Sequence, residues 1–376
     1  MKVLFVLTDS KYLYGASKSL RGLLDGLDDS FEYDLVLGKS FTQNTPAKIA
    51  RTDFGGKMGN LYYMWVPRYR CIDYTVTGIV AELSHFVNNL LAFVFRYRIY
   101  NLIKKVEYDY IHLNSTVLFP LIESGHKYIL HNRDIIREDY WLSKLLIQKL
   151  RKVAGVINID VATKNGLSKY IDGNRNCITL ANPIDMCNVH KYDPKECAEE
   201  LGIDMDHKQT VFAMIGQITK EKGSEFVIDG FLNAGLSDAI LLIAGNNETI
   251  YAKKMIEKYA LNKNVYFVGE LKEVAIVYRV ADCIIRGEDR FAVGRTHVEG
   301  LFSGLCILIP GNNDNIDDIY NGREYKEKVV FYEPRNKSAL IDKLKIIGSI
   351  DWNERQYTSN REEYSEKYRK YIELVV

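Results

Sequence analysis

Residues 286–300, RGEDRFAVGRTHVEG, place three arginines, the adjacent acids Glu288 and Asp289, Gly294 and a T-x-x-E between two apolar runs, ADCII and LFSGLCILI. Gly294 precedes a segment that predicts a short helix from Arg295 to Ser303, stopped by Gly304. The N–H groups at such a start form a positive pole suited to an anion. Arg295 and Glu299 are four apart and share a face. Two readings stay open. In one, Thr296-His297-Val298-Glu299 is a capping box and Arg295–Glu299 a surface pair. In the other, Glu299 accepts hydrogen bonds from the vicinal hydroxyls of a sugar while the helix pole holds phosphate.

A second constellation is VFAMIGQITKEKGSEF, residues 211–226. Gly216 ends a predicted strand and lets backbone approach a ligand. Gly223-Ser224 opens a helix whose start attracts anions, with Lys222 beside it as a phosphate contact. The alternative is a solvated KEK loop around a glycine turn.

Something must hold these loops, and the remaining sequence shows what. Strands are predicted at KVLFVLT, YDLVLG, YDYIHLN, KYILHN and GVINI, with helices between them, the first being amphipathic through Leu20, Leu23, Leu24 and Leu27. A polar stretch at 186–207 with Pro194 interrupts the pattern. A second alternation follows, with strands at TVFAMIG, AILLIAG, NVYFVGE, DCIIR, LCILIPG and VVFY. Alternation of this kind implies parallel sheets with helical crossovers, and ligands then sit at the carboxyl ends of the strands. The expected organisation is an α/β chain with a first domain at 1–185, a linker at 186–207, a second domain at 208–352 and a helical tail at 353–376. At 376 residues two domains are the default.

Together these segments resemble the glycosyltransferases of family 4 (group 1) with the GT-B fold. The resemblance is carried by GASKSLRGLLDGL, DYIHLN, ILHNRD, LANPID, IGQITKEKGSEF, LLIAG, NVYFVGEL, VYRVADCII and VGRTHVEGLFSGLCIL, in order along most of the chain. It implies two Rossmann-like domains with parallel sheets facing a central cleft, and a last helix that returns to the first domain. It also implies transfer of a hexose from a UDP- or GDP-sugar to a saccharide or lipid-linked saccharide, with retention, without metal or other cofactor, in envelope polysaccharide assembly.

Site roles follow the same resemblance. Glu299 grips the ribose, Lys222 and the pole at Gly294, Arg295 and Thr296 meet the pyrophosphate, and His131 faces the donor sugar. Gly15 and Gly216 let backbone approach the reaction centre and the nucleotide. The alternative for His131 is satisfaction by Asp134 or backbone; for Gly15 it is an ordinary turn. The family's pattern is departed from at three places: Phe291 stands where its E-x7-E pair has the first acid, Gln217 where it has an arginine, and Gly287-Glu288 where it has P-S. Glu288 or Asp289 are therefore candidate stand-ins for the acid, and Arg286, Arg290 or Arg295 for the cation. A catalytically degenerate binding subunit and a UDP-sugar epimerase of the same fold are the alternatives.

The remaining readings are mostly exclusions. A formal net charge of +1 offers no global field for nucleic acid. Six cysteines without CxxC pairs suggest neither a zinc site nor a disulfide framework, and a reduced, cytoplasmic setting. The N-terminus reads as a strand, not a signal peptide, and no apolar run approaches a membrane span. Asp204-Met205-Asp206 resembles a D-x-D metal motif but follows a helix end, so it reads as linker acidity. Residues 57–105 combine Lys57, Arg68, Arg70, Arg96, Arg98, Lys104 and Lys105 with LYYMW and LLAFVFRYRIY. They suit peripheral contact with an anionic membrane, at the inner face, or else a core helix with a basic edge.

Overall fold

The computed structural model describes residues 1–8, 15–39, 54, 58–69, 79–136, 142–171, 176–203, 209–291, 293–350 and 355–376. In chain order the first strands and helices are β1 (Lys2–Leu7), α1 (Gly15–Gly26), β2 (Glu32–Gly38), β3 (Met58–Met64), α2 (Ile79–Val94), α3 (Arg96–Lys105), β4 (Tyr110–Leu113), β5 (Tyr128–Asn132), α4 (Ser143–Leu150), β6 (Gly155–Asn158), α5 (Val161–Ser168) and β7 (Cys177–Thr179). Then come α6 (Pro194–Glu200), β8 (Thr210–Ile215), α7 (Ser224–Ala234), β9 (Ala239–Ala244), α8 (Ile250–Tyr259), β10 (Val265–Gly269), α9 (Ala275–Val280), β11 (Cys283–Ile285), α10 (Arg295–Phe302), β12 (Cys306–Pro310), β13 (Val329–Tyr332), α11 (Lys337–Gly348) and α12 (Arg361–Val375).

Two compact units result: Met1–Pro183 with Asn360–Val376, and Ile184–Ser359. The first holds a seven-stranded sheet ordered β3-β2-β1-β4-β5-β6-β7. The second holds a six-stranded sheet ordered β10-β9-β8-β11-β12-β13. Every pairing is parallel. The strands β1 and β8 are almost wholly apolar because both faces are covered. In β1, Val3, Phe5 and Leu7 join the cluster under α1 and α12, while Leu4 and Val6 join the opposite one. In β8, Phe212 and Met214 pack under α7, and Val211, Ala213 and Ile215 on the other face. Each sheet reverses its winding once, between β1 and β4 and between β8 and β11. Open α/β sheets bind ligands at such reversals, beyond the carboxyl ends of the strands.

Three boundaries differ from the sequence expectation. The segment expected as a linker is, over residues 186–203, core of the second unit: Met186, Val189, Cys197, Ala198 and Leu201 are buried in one cluster. Pro194 starts α6 there, with Asp193 Oδ1 accepting from the N–H groups of Lys195 and Glu196 (2.9 and 3.1 Å). Asp204-Met205-Asp206 lies outside the described residues. The second unit continues to Ser359, with the Met186 N–H donating to the Thr358 carbonyl at 3.0 Å. The last helix begins at Arg361 and buries Tyr364, Tyr368, Tyr371 and Ile372 in the first unit. The strand β3 was not anticipated; it pairs with β2 at the sheet edge within the basic, aromatic stretch. Among the described residues no helix is long and apolar enough to cross a membrane.

Candidate functional site

The loops that leave β8 and β11 flank the reversal in the second sheet, and they carry both constellations picked out above. Gly216 leaves β8 at φ +135° and Gly223 enters α7 at φ +67°, conformations that favour glycine. A Cβ on Gly223 would overlap the backbone carbonyl of Gly287. A Cβ on Gly287 would lie 2.6 Å from Gly223 O and 2.6 Å from Val227 Cγ2. At this point the two loops meet backbone to backbone.

That contact sets a charged cluster in place. Arg286 and Glu288 lie two apart, just beyond the end of β11. Arg286 grips Glu288 in a two-point pair, Nε to Oε2 at 2.9 Å and Nη2 to Oε1. Lys222 Nζ donates to Glu288 Oε1 at 3.2 Å, and Arg286 Nη1 to Thr296 Oγ1 at 3.3 Å. Arg286 and Glu288 are buried, while the Lys222 side chain keeps 40% of its surface exposed. Burial works to raise the Glu288 pKa, but Arg286 and Lys222 outweigh it and hold the carboxyl below the usual range. Burial, then the Arg286 charge, lower the Lys222 pKa. The group carries two cations and one anion, with the lysine at the wet end.

Two helices begin beside this cluster, α7 at Gly223 and α10 at Gly294, and neither has a side-chain cap at that position. By contrast α6, α8 and α11 are capped by Asp193, Thr249 and Asn336. A glycine start leaves the helix pole unneutralised by a side-chain acceptor. The expected Thr296–Glu299 capping box does not form. Thr296 turns to Arg286, and it is His297 Nδ1 that accepts from the Gly294 N–H at 2.9 Å. His297 is fully buried and its Nε2, which must then carry the proton, has no partner among the described residues. Burial, Arg286 and Lys222 lower its pKa well below the ordinary histidine value.

Glu299 sits one turn into α10 and is 4% exposed. Arg295 Nε donates to its Oε1 and Tyr278 OH to its Oε2, both at 2.7 Å. The Arg295–Glu299 pair is therefore a partly buried fixture, not a surface pair. Burial and the adjacent Glu299 push the Tyr278 pKa far up, so its hydroxyl stays a donor. Tyr278, within VYRVADCII, escaped the sequence analysis because its helical spacing reads as core.

The candidate stand-in acids separate. Glu288 joins Lys222, whereas Asp289 is exposed and paired with Arg335. Gln217 and Arg290 are exposed. Phe291 is half-buried against Phe331, ring centroids 6.5 Å apart, and crowds Gly311. It lines an open cavity of about 490 Å³ at the ends of β12 and β13, with Asn312, Tyr332 and Lys343.

In the first unit Gly15 opens α1, and among the described residues nothing lies within 4 Å of its Cβ position. His131, at the end of β5, is wholly buried. Its partners are not Asp134, which accepts from Ser115 Oγ at 2.7 Å. His131 Nδ1 meets His112 Nε2 at 3.2 Å and Arg133 Nη2 at 3.3 Å. His112 Nδ1 meets Tyr368 OH at 2.9 Å, and that hydroxyl meets Tyr110 OH at 3.0 Å. An arginine only donates, so His131 Nδ1 is an acceptor. His112 Nε2–H therefore donates to it, Tyr368 donates to His112, and Tyr110 donates to Tyr368. The relay leaves one open position, the His131 Nε2–H, which has no partner among the described residues. Burial and Arg133 lower the pKa of both histidines, His112 to about 3. Among the described residues no group of three or more His, Cys, Asp or Glu side chains could hold a metal ion.

Comparison with known proteins adds the family. Residues 201–366 match the model of the family described as glycosyl transferases group 1. No curated protein matches the chain. Solved structures match along its whole length. HepE of Anabaena, in complex with UDP and glucose, is 15% identical with a TM-score of 0.67 and 99% of each chain covered. Sucrose-phosphate synthase from Thermosynechococcus elongatus is 11% identical with a TM-score of 0.66, covering 100% of this chain and 94% of that one. The lipopolysaccharide outer core galactosyltransferase WaaB, in its apo form, is 12% identical with a TM-score of 0.59, covering 99% and 97%. At these identities the likeness shows the fold, which is GT-B.

Proposed function

We propose that this GT-B glycosyltransferase, whose residues 201–366 belong to the glycosyl transferases of group 1, moves a hexose from a nucleoside diphosphate sugar to a hydroxyl of a saccharide or lipid-linked saccharide. The observation that carries the reading is the Lys222–Arg286–Glu288 cluster beside two glycine-started helices at the reversal of the second sheet. A diphosphate needs fixed positive partners that cost no reorganisation, and this arrangement supplies them. UDP is the first nucleotide to try, because HepE is described with UDP and with UDP-glucose. An envelope glycan is the favoured product class, in keeping with the lipopolysaccharide transferases among the fold's relatives.

The reaction is same-face substitution with retention. The acceptor hydroxyl forms the new bond to the anomeric carbon as the bond to the β-phosphate oxygen breaks, and a leaving phosphate oxygen takes the hydroxyl proton. Lys222 and the starts of α7 and α10 stabilise the departing charge. Arg286 replaces the cation missing at Gln217, and Glu288 holds Arg286 and Lys222 in place. Glu299 accepts from the ribose hydroxyls, and the His131 Nε2–H donates to a sugar oxygen. Phe291 shapes the sugar-side wall that an acid occupies elsewhere in the family. No metal or other cofactor takes part.

Thermal-shift measurements with UDP, GDP, ADP and their sugars test the site. One nucleoside diphosphate should raise the Tm, and Lys222→Met should reduce the rise at the same nucleotide concentration; a folded chain that no nucleotide stabilises ends the proposal. The aromatic packing of Phe291 favours a second reading, a binding subunit without turnover. Release of nucleotide from the isolated chain with donor and acceptor decides against that subunit, and an epimerised donor recovered without acceptor would identify an epimerase.

A further inference from the structure

The helix α2 is mounted with its apolar face outward. Leu83, Phe86, Leu90, Phe93, Val94 and Tyr97, the last in α3, are 60, 67, 49, 58, 53 and 52% exposed. Leu83, Phe86, Leu90 and Phe93 recur every three or four residues and form one row along α2, with Val94 beside its end and Tyr97 following in α3. Asn88 and Ala92 are buried at 5 and 3%, with Val87 and Leu91 half-buried beside them. Amides help to pin the helix to the first unit. Asn88 Nδ2 donates to Val66 O at 3.3 Å. Asn89 takes the Arg68 N–H at 2.8 Å and returns a bond to Arg68 O at 3.2 Å. A helix designed only to pack would carry the reverse pattern, and a continuous apolar row in water is unfavourable without an occupant.

The occupant is marked by charge. Residues 79–105, spanning α2 and α3, contain Arg96, Arg98, Lys104 and Lys105 against the single acid Glu82. All four cations are exposed. The Arg96 guanidinium lies 4.3 Å over the Phe93 ring, and Arg98 lies 5.0 Å over Phe95 and 5.9 Å over Tyr97. Rings flanked by guanidinium groups match the boundary between acyl chains and headgroups, where the ring sinks and the cation stays with phosphate. A second copy of the chain is disfavoured, since a two-fold contact would bring like charges together. The helix is 16 residues long, too short to span and suited to lying flat.

We infer that α2 and the start of α3 dock the protein on an anionic bilayer surface, with Leu83, Phe86, Leu90 and Phe93 entering the interface. The inference rests on this helix alone and not on the nucleotide site. Flotation with phosphatidylglycerol and phosphatidylcholine vesicles at low and moderate salt tests it. The wild-type chain is expected to float with the anionic vesicles, less at higher salt, and not with the neutral ones. The variant with Phe86→Ser and Phe93→Ser should lose binding. Replacement of Arg96 and Arg98 by glutamine should weaken it about 25-fold, at ~1 kcal/mol for each cation near the surface. The nucleotide-induced thermal shift, which reads the other unit, should be unchanged in both. Absence of anionic-vesicle binding, or variants that bind like the wild type, overturns the inference. So does a dimer, by light scattering, that the serine variant converts to monomer.

Discussion

Gly223 and Gly287 meet backbone to backbone, and that meeting joins the loop after β8 to the loop after β11. There is no room for a side chain on either. Gly223→Ala places a Cβ against the Gly287 carbonyl in addition to the cost of its left-handed φ. We expect a loss of about 2–4 kcal/mol of stability there, and about 1–3 for Gly287→Ala. Thermal and urea unfolding of the full chain measure both. A neutral result at Gly287 would mean that the loops are not in contact.

Lys222 and Arg286 are assigned different work, so their removal should differ in kind. Lys222→Met removes the more exposed cation and should weaken nucleoside diphosphate binding about tenfold to a hundredfold with little change in unfolding. Arg286→Met strands the buried Glu288 carboxylate and should cost roughly 3–5 kcal/mol of stability as well. Titration calorimetry beside urea unfolding separates the two. Equal stability losses would remove the distinction.

Glu299 offers a similar contrast with Tyr278. Tyr278→Phe deletes one donor and leaves Glu299 held by Arg295, costing about 1–2 kcal/mol of stability with nucleotide affinity retained. Glu299→Gln should lower affinity for UDP at least tenfold, and more for UDP than for uridine-free pyrophosphate. If pyrophosphate is lost in the same proportion, Glu299 does not grip ribose.

The histidines predict an acid limit. His112, His131 and His297 are fully buried, and their pKa values are depressed by burial and then by nearby cations. Below about pH 6.5 the unfolded chain binds protons that the native chain refuses. Stability is therefore complete above that pH and falls below it, by about 1.4 kcal/mol per pH unit for each histidine. The depressed Glu288 adds a further loss once the pH falls through the ordinary carboxylate range. Urea midpoints at pH 7.5, 6.5 and 5.5 follow this directly; a midpoint unchanged between 6.5 and 5.5 would show that the histidines are charged in the native chain.

How much of this was legible beforehand depended on the range of the interaction. The central strands announce themselves because parallel strands buried on both faces must be continuously apolar, as in VFAMI and AILLIA. The α6 start went unread although Asp193-Pro194 marks it, because polar neighbours hid the buried face made by Cys197, Ala198 and Leu201 and the segment reads as a linker. At the site, the glycines and cations could be singled out locally. Their pairing could not: Thr296 had an attractive local partner in Glu299, and lost it to Arg286 and Tyr278, which arrive from other elements. The His131 relay was equally hidden, since Tyr368 reaches it from the far end of the sequence.

That last contact orders events during synthesis. The first unit needs Tyr368 and Ile372 to fill its core, yet the ribosome makes them only after all of Ile184–Ser359. The second unit is continuous in sequence and can close as soon as it has emerged, while the nascent first unit waits with the underside of β1 and α1 uncovered. Premature termination anywhere in the second unit thus leaves both halves unfinished, and a chaperone that shields apolar surface has its natural client in the earlier one.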